Sequence, residues 1–253
     1  MILRLRSLVL SFALTAAVAL SALAAGAAGA EEVFWSGARS LPVYSVERED
    51  NALAITFDCA WGTEHTDAIL QALEEANVKA TFFTVQFWAE EHPDYLKKID
   101  EAGHEIGTHS ATHPKMSQIS EEAVKTELTT SSRAITEVTG KPVTLFRPPF
   151  GDYDNAVIDT SLALGLMPIQ WDVDSLDWKD LSAKEIAERV VTKAKRGSII
   201  LCHNNGLHTA EALPVILDTL RARGFTFVPV GELIYRKNYT IDHTGRQFSA
   251  AKG

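Results

Sequence analysis

A chain of 253 residues with 46% hydrophobic and 23% charged residues is long enough to bury a sizeable core, which excludes a disordered chain or a small disulfide-stapled scaffold. The formal net charge of −9 argues against nucleic acid and anionic lipid as partners. Two cysteines, Cys59 and Cys202, are too few for a disulfide framework.

Residues 1–30 read as an export signal. Arg4 and Arg6 precede an apolar run from Leu8 to Leu23, and Ala28-Gly29-Ala30 offers small residues for cleavage. The alternative is a retained anchor, since residues 8–30 are also long enough to span a bilayer. The expectation is an exported protein, extracellular or at the wall or membrane surface, attached to a membrane only if this segment is kept. Residues 31–50 read as a lead-in.

From residue 51 to about 233, strand-like and helix-like patterns alternate. Strands are predicted over Leu53–Phe57, Ala80–Val85, Glu105–Thr108, Val143–Phe146, Met167–Asp172, Ser198–Leu201 and Phe225–Val228. Helices are predicted over Asp67–Ala76, Asp94–Ala102 after Pro93, Ser120–Thr139 before Gly140, Asn155–Leu164 before Gly165, Ser182–Lys195 before Gly197, and Thr209–Arg223 before Gly224. Residues 234–253 read as a polar tail. Seven strands alternating with six helices imply an α/β fold, a mostly parallel sheet with helices outside it. Chemistry-bearing residues fall at the C-terminal ends of at least five strands. A distorted (β/α) barrel of about seven parallel strands gathers such ends at one face. An open doubly wound sheet, the alternative, gathers two or three more easily than five.

Those residues are specific in type. His109 and His113 lie four apart just past a strand and share a face if the loop turns helically; imidazole pairs suit zinc and similar ions, and two ligands leave positions open for water and substrate. Asp58 ends an apolar strand, where an unpartnered charge is costly, and can serve as a general base. Arg147 opens Arg-Pro-Pro-Phe-Gly, a stiff loop carrying a planar fork suited to a carboxylate. Asp177 sits beside Trp178. His203, in Leu201-Cys202-His203, titrates where acid–base work near neutrality needs it.

With these residues in place the chain resembles the polysaccharide deacetylases of carbohydrate esterase family 4, the NodB-homology domain. The matching stretches are Thr56-Phe57-Asp58, His109-Ser110-Ala111-Thr112-His113, Arg147-Pro148-Pro149-Phe150-Gly151, Asp174-Ser175-Leu176-Asp177-Trp178 and Leu201-Cys202-His203. The run Phe57-Asp58-Cys59-Ala60-Trp61-Gly62 is similar to the PdaB-like, sporulation-associated branch. The resemblance implies a distorted barrel and metal-dependent removal of acetyl groups from an N-acetylated glycan, peptidoglycan or chitin-like. It implies that His109 and His113 bind a divalent metal, zinc or cobalt. Asp58 is then the base, held by Arg147, and His203 is the acid, tuned by Asp177. The Phe150 N–H stabilises the oxyanion, while Leu201 and Trp178 line the slot for the acetyl methyl. The family's third metal ligand, an aspartate, is replaced here by Cys59. Cys59 itself, Glu64, or water alone are the candidates for that place, and a Cys59–Cys202 disulfide is a separate alternative. Two other functions compete: hydrolysis of a different C–N bond, and a non-catalytic, weakly metal-binding wall protein.

Overall fold

The computed structural model describes residues 39–250, so the expected export segment over 1–30 lies outside the described residues. No helix among the described residues is long and apolar enough to cross a membrane. The described chain enters through a two-residue strand, β1 (Ser45–Val46). The apolar run that follows becomes β2 (Ala52–Cys59), buried along its whole length. Helix α1 (Thr66–Glu75), strand β3 (Thr81–Thr84), two short helices α2 (Gln86–Glu91) and α3 (Pro93–Glu101), and strand β4 (Glu105–Thr108) come next. Helix α4 (Glu121–Thr139) starts as its sequence requires. Ser120 Oγ accepts from the Ala123 N–H, Glu121 and Glu122 face the positive dipole end, and Gly140 closes the helix in the left-handed region. The chain continues through β5 (Leu145–Phe146), α5 (Asn155–Ala163), β6 (Met167–Pro168) and β7 (Val173–Asp174). Helix α6 (Ala183–Lys193) opens with a capping box between Ser182 and Glu185. Strand β8 (Ile199–His203), α7 (Thr209–Ala222), β9 (Thr226–Phe227) and α8 (Val230–Leu233) complete the main body.

The strands lie in the order β6-β5-β4-β3-β2-β8-β7, all parallel, with β9 added to the start of β2. The chain therefore moves steadily one way round the sheet, and β8 returns to pair with β2. This is the sequential order of a (β/α) barrel, interrupted once. The predicted strand over Met167–Asp172 divides into β6 and β7, which do not pair with each other. At the break, Val43 bonds to the backbone of Pro168 and Gln170. The barrel is distorted for that reason.

Alternation along the strands sorts the core into layers. Leu53, Ile55, Phe57 and Cys59 face outward into a cluster with Ile69, Leu73, Ile99, Ile216 and Leu217 from the helices. Ala52, Ala54, Phe83, Leu145 and Ile199 face inward, closed below by Val43, Val46, Val230 and Leu233. A third cluster joins Phe146 to Val124, Leu128 and Val157. The inward layer is filled with side chains at its base, which leaves only the rim where the strands end free for chemistry.

Residues 234–253, expected as a polar tail, are largely folded. Strands β10 (Tyr239–Ile241) and β11 (Arg246–Ser249) form a hairpin, and β11 pairs in parallel with β1. Gln247 is fully buried and exchanges two hydrogen bonds with the Tyr235 backbone. Helix α2 was also not foreseen, because its six residues are too few for a periodic pattern to stand out.

Gly197 is held where β1 crosses the body. Its φ is +74°, and a Cβ there would stand 1.6 Å from the Val46 carbonyl oxygen. Gly140 has a similar φ of +69° with nothing within 4 Å of its Cβ position. Gly197→Ala should therefore lower the unfolding free energy by about 3 kcal/mol, against about 1 kcal/mol for Gly140→Ala. Urea titration of the two variants measures the difference, and equal losses would mean that β1 is free to move aside.

Candidate active site

The rim of the barrel collects the residues that the sequence singled out. Asp58 and His203 are direct partners in the β2–β8 register, so both side chains leave the sheet on its inner face. Thr108 pairs with Phe146, which places His109 and Arg147, the next residues of each chain segment, side by side at the same level.

Arg147 is fully buried. Its fork is divided rather than clamped on one carboxylate. Nη1 donates to Asp58 Oδ1 at 2.8 Å and to Thr56 Oγ1 at 2.7 Å, while Nη2 donates to the Gln170 carbonyl at 3.1 Å. The guanidinium also lies 4.2 Å from the centre of the Phe83 ring. Burial pushes the Asp58 carboxyl up, but Arg147, then His109 and His203, together outweigh it and hold the group below the ordinary carboxylate range.

The two histidines meet, though not through a helical turn. Ser110 and His113 both take positive φ, +72° and +58°, and the loop folds back so that the rings lie 4.9 Å apart, edge to face. Glu127 of α4 fixes this loop by accepting from the Ala111 and Thr112 N–H groups and the Thr112 hydroxyl. The His113 N–H donates to Ser110 Oγ. His109 Nδ1 lies 2.8 Å from the Arg147 carbonyl oxygen, which accepts only if that nitrogen carries the proton. The lone pair is thereby left on Nε2, 3.5 Å from Asp58 Oδ2. Burial lowers the pKa of both rings, His113 to about 4, and keeps them neutral as ligation requires.

His203 is held by Asp177, which is fully buried. Asp177 Oδ1 lies 2.7 Å from His203 Nδ1, and Oδ2 accepts from the His203 N–H and the Thr209 hydroxyl, each at 2.7 Å. Burial works against charge on His203, yet Asp177 outweighs it and raises the ring above the ordinary imidazole value.

These groups surround one cavity of about 480 Å³, walled by Asp58, His109, His113, Phe150, Trp178, Leu201 and His203 among the predicted residues. Arg147 and Asp177 stand behind the wall as supports. Phe150 has φ +59° and stacks edge-on to His113 at 4.5 Å. The neighbouring Gly151 and Asp152 N–H groups are bonded to Pro148 and Pro149, while the Phe150 N–H has no partner among the described residues.

Cys59 corrects one expectation. It follows Asp58 on β2, so alternation turns it to the opposite face, where it is fully buried among the outer core residues with Sγ toward the Phe57 carbonyl. Burial, then the Asp58 charge, pushes its thiol far up, so it neither faces the histidines nor offers a thiolate. Cys202 shares that outer face, and both thiols are free. Glu64 is exposed, with its carboxylate folded over Gly62, and is not part of the cavity wall. Among the described residues no group of three or more His, Cys, Asp or Glu is arranged to hold a metal. The donors that are present, two neutral imidazoles beside a carboxylate, fit an open site rather than a closed protein cage.

Glu127, Asn204, Trp61 and Trp171 have places at the site that the motifs do not assign, although Trp61 stands in the Phe57–Gly62 run. Trp61 and Trp171 line the cavity. Glu127 and Asn204 act through backbone groups of other loops, and no local sequence pattern marks such partners.

Comparison with known proteins gives a consistent result. The family described as polysaccharide deacetylase matches residues 45–169. An uncharacterized protein of Bacillus subtilis, YlxY, is 32% identical over 193 residues, covering 76% of this chain and 60% of that protein. A peptidoglycan-N-acetylglucosamine deacetylase of Bacillus cereus is 32% identical over 200 residues, covering 77% of this chain and 93% of that protein. The crystal structure of a wild-type CE4 family pseudoenzyme from Bacillus anthracis superposes with a TM-score of 0.74 at 32% identity, covering 76% of this chain and 68% of that one. The chain spans 42 to 60% of the length of several curated relatives that it matches.

Replacing Asp177 by Asn removes the charge that outweighs burial at His203. The ring should then titrate at lower pH than in the unmodified protein, as followed by NMR of its imidazole protons. An unchanged titration would mean that Asp177 holds the ring in place without tuning it.

Proposed function

Because the chain belongs to the polysaccharide deacetylase family, carbohydrate esterase family 4, we propose that it hydrolyses acetamido groups on an N-acetylated glycan, peptidoglycan or chitin-like, releasing acetate and leaving the free amine. The observation that carries this reading is the pairing of Asp58 and His203 on one cavity, each backed by its own buried partner. An amide resists hydrolysis because its carbonyl is resonance-stabilised and its amine leaves poorly, so a base and an acid are both needed. The environments here push the two groups to the required states. Asp58 is kept ionised by Arg147, and His203 is kept protonated by Asp177.

In this reading Asp58 accepts a proton from the attacking water, and Arg147 fixes the carboxylate while its second nitrogen stays on the Gln170 carbonyl. The Phe150 N–H donates to the oxygen that gains charge as the carbonyl is attacked. His203 passes the proton on its free ring nitrogen to the leaving amine, with Asp177 stabilising the imidazolium. Leu201 and Trp178 border the acetyl methyl. His109 and His113 would hold a divalent ion, zinc or cobalt, which supplies polarisation of the carbonyl and a water of lowered pKa. Export to the wall or cell surface belongs to the same proposal and is supported by the composition of residues 1–30.

The test is acetate release from N-acetylglucosamine oligomers and from peptidoglycan with added zinc or cobalt. His203→Ala should reduce turnover by about 10²- to 10⁴-fold while leaving zinc binding intact. Activity should climb as Asp58 ionises, below the ordinary carboxylate range, and decline as His203 loses its proton, above the ordinary imidazole value. Absence of acetate release with every divalent metal would instead favour a non-catalytic glycan-binding protein, a reading to which the incomplete donor set lends weight.

Zinc competition titrations address the ligands separately. Cys59→Ser should leave affinity unchanged, and His109→Ala should reduce it by at least about tenfold. A loss in Cys59→Ser equal to that of His109→Ala would overturn the placement of the thiol on the outer face. A comparable loss in Glu64→Gln would identify that exposed carboxylate as a third donor.

A further inference from the structure

Three aromatic side chains are exposed among the described residues, Trp61 at 56%, Phe150 at 63% and Trp178 at 56%, and all three wall the same cavity. They come from separate loops, after β2, β5 and β7. Isolated exposed apolar residues need no explanation, but convergence of the exposed rings on one cleft that also holds ionisable groups does. In the mechanism above Trp178 borders the acetyl methyl and Phe150 supplies its backbone N–H. Trp61 has no part in it.

The loop that carries Trp61 is held rigidly. Gly62 has φ +63°, and its carbonyl accepts two hydrogen bonds at 2.8 Å, from Trp88 Nε1 and Asn204 Nδ2. Trp88 and Asn204 are both buried. The Trp61 ring meets His113 edge-on at 5.0 Å and Phe87 at 6.3 Å. Half of the indole nevertheless stays open to solvent. A flat, exposed ring on a loop whose backbone is pinned beside the cavity is a preorganised binding surface, since little backbone freedom is lost when a ligand settles on it.

We propose that Trp61 is the platform of a sugar subsite next to the reacting unit, and that this ring is what makes a longer oligomer bind more tightly than a single sugar. A pyranose ring has an apolar C–H face bounded by hydroxyls. The electron-rich face of an indole matches the C–H face. Asp174 and Asn205, on the same wall, offer polar partners for the hydroxyls. A lipid or apolar peptide would leave those groups desolvated and unpaired, and the net charge of −9 disfavours a polyanion. The subsite rests on the deacetylase reading only for the identity of the reacting sugar.

The experiment measures binding of N-acetylglucosamine and its oligomers, up to five sugars, by calorimetry on the full chain, alongside KM and kcat for acetate release. In the unmodified protein affinity should rise with length. Trp61→Ala should weaken the longest oligomer by about tenfold or more and change the single sugar by less than about twofold, with Trp61→Phe recovering part of the loss. Should Trp61→Ala fail to fold, Trp61→Leu, which keeps apolar cover over His113 without a flat face, takes its place. Equal weakening at every length would make Trp61 a packing residue and overturn the proposal, as would no weakening at all. Length-dependent binding lost in Trp61→Ala without acetate release from any form would keep the subsite and remove the deacetylase reading. Acetate release with an unaltered KM series in Trp61→Ala would do the reverse.

Discussion

The site depends on one buried ion pair, Arg147 with Asp58. Neither charge has appreciable contact with solvent, and removing water from two ions costs several kcal/mol per ion unless other groups replace it. Replacement on the arginine is partial: a carboxylate, a hydroxyl, a carbonyl and an aromatic face each take part of the guanidinium, while the buried Nε has no hydrogen-bond partner among the described residues. Those partners belong to β2, β3 and the break after β6, so the pair ties together segments far apart in sequence. The Thr56 hydroxyl that accepts from Arg147 itself donates to Ile200 of β8, extending the network to the strand that carries His203. Such a pair is weak as a source of stability and strong as a constraint, because loss of either partner strands a buried charge.

The same pair bears on the protonation of the rest of the rim, where burial and a second carboxylate set the balance. A carboxylate held ionised beside His109 and His203 favours charge on both rings. Burial at His109 wins over that influence and keeps its ring neutral. At His203 the balance is reversed because Asp177 supplies a second, closer carboxylate. Two histidines in one cavity are thus pushed in opposite directions, His109 down chiefly by burial and His203 up chiefly by Asp177. Under the proposed reading, this separation suits His203 to the acid role and His109 to a neutral ligand.

Much of this was legible in the sequence. Strand–helix alternation gave the barrel, and charged or imidazole residues at strand ends gave its rim, because a run such as Leu53-Ala54-Ile55-Thr56-Phe57 has no packing reason to end in Asp58. The parts that were not legible are those set by backbone detail and long-range contact. The His109–His113 spacing suggested a helical turn, yet two left-handed residues and the Glu127 anchor produce the contact instead. The split of Met167–Asp172 into β6 and β7 depends on Val43 bonding at the break. The hairpin over 239–249 has few apolar residues of its own and folds because β1 gives it an edge to join.

Asp58 and Cys59 show how narrow the margin between core and chemistry is. Side chains on a strand alternate with a period of two, so adjacent residues at its end face different worlds. One step places a carboxylate on the reaction cavity, and the next places a thiol in an apolar layer that holds it protonated. Under the proposed reading this has a cost in charge. The Asp58 carboxylate is already balanced by Arg147, and the two imidazoles are neutral, so little net negative charge is left to attract a dication. A divalent ion would then be held mainly by the imidazole lone pairs of His109 and His113, which favours weak binding. Under that reading a loosely held ion would still sit beside the Asp58 and His203 pair, and metal supply would set the fraction of active protein.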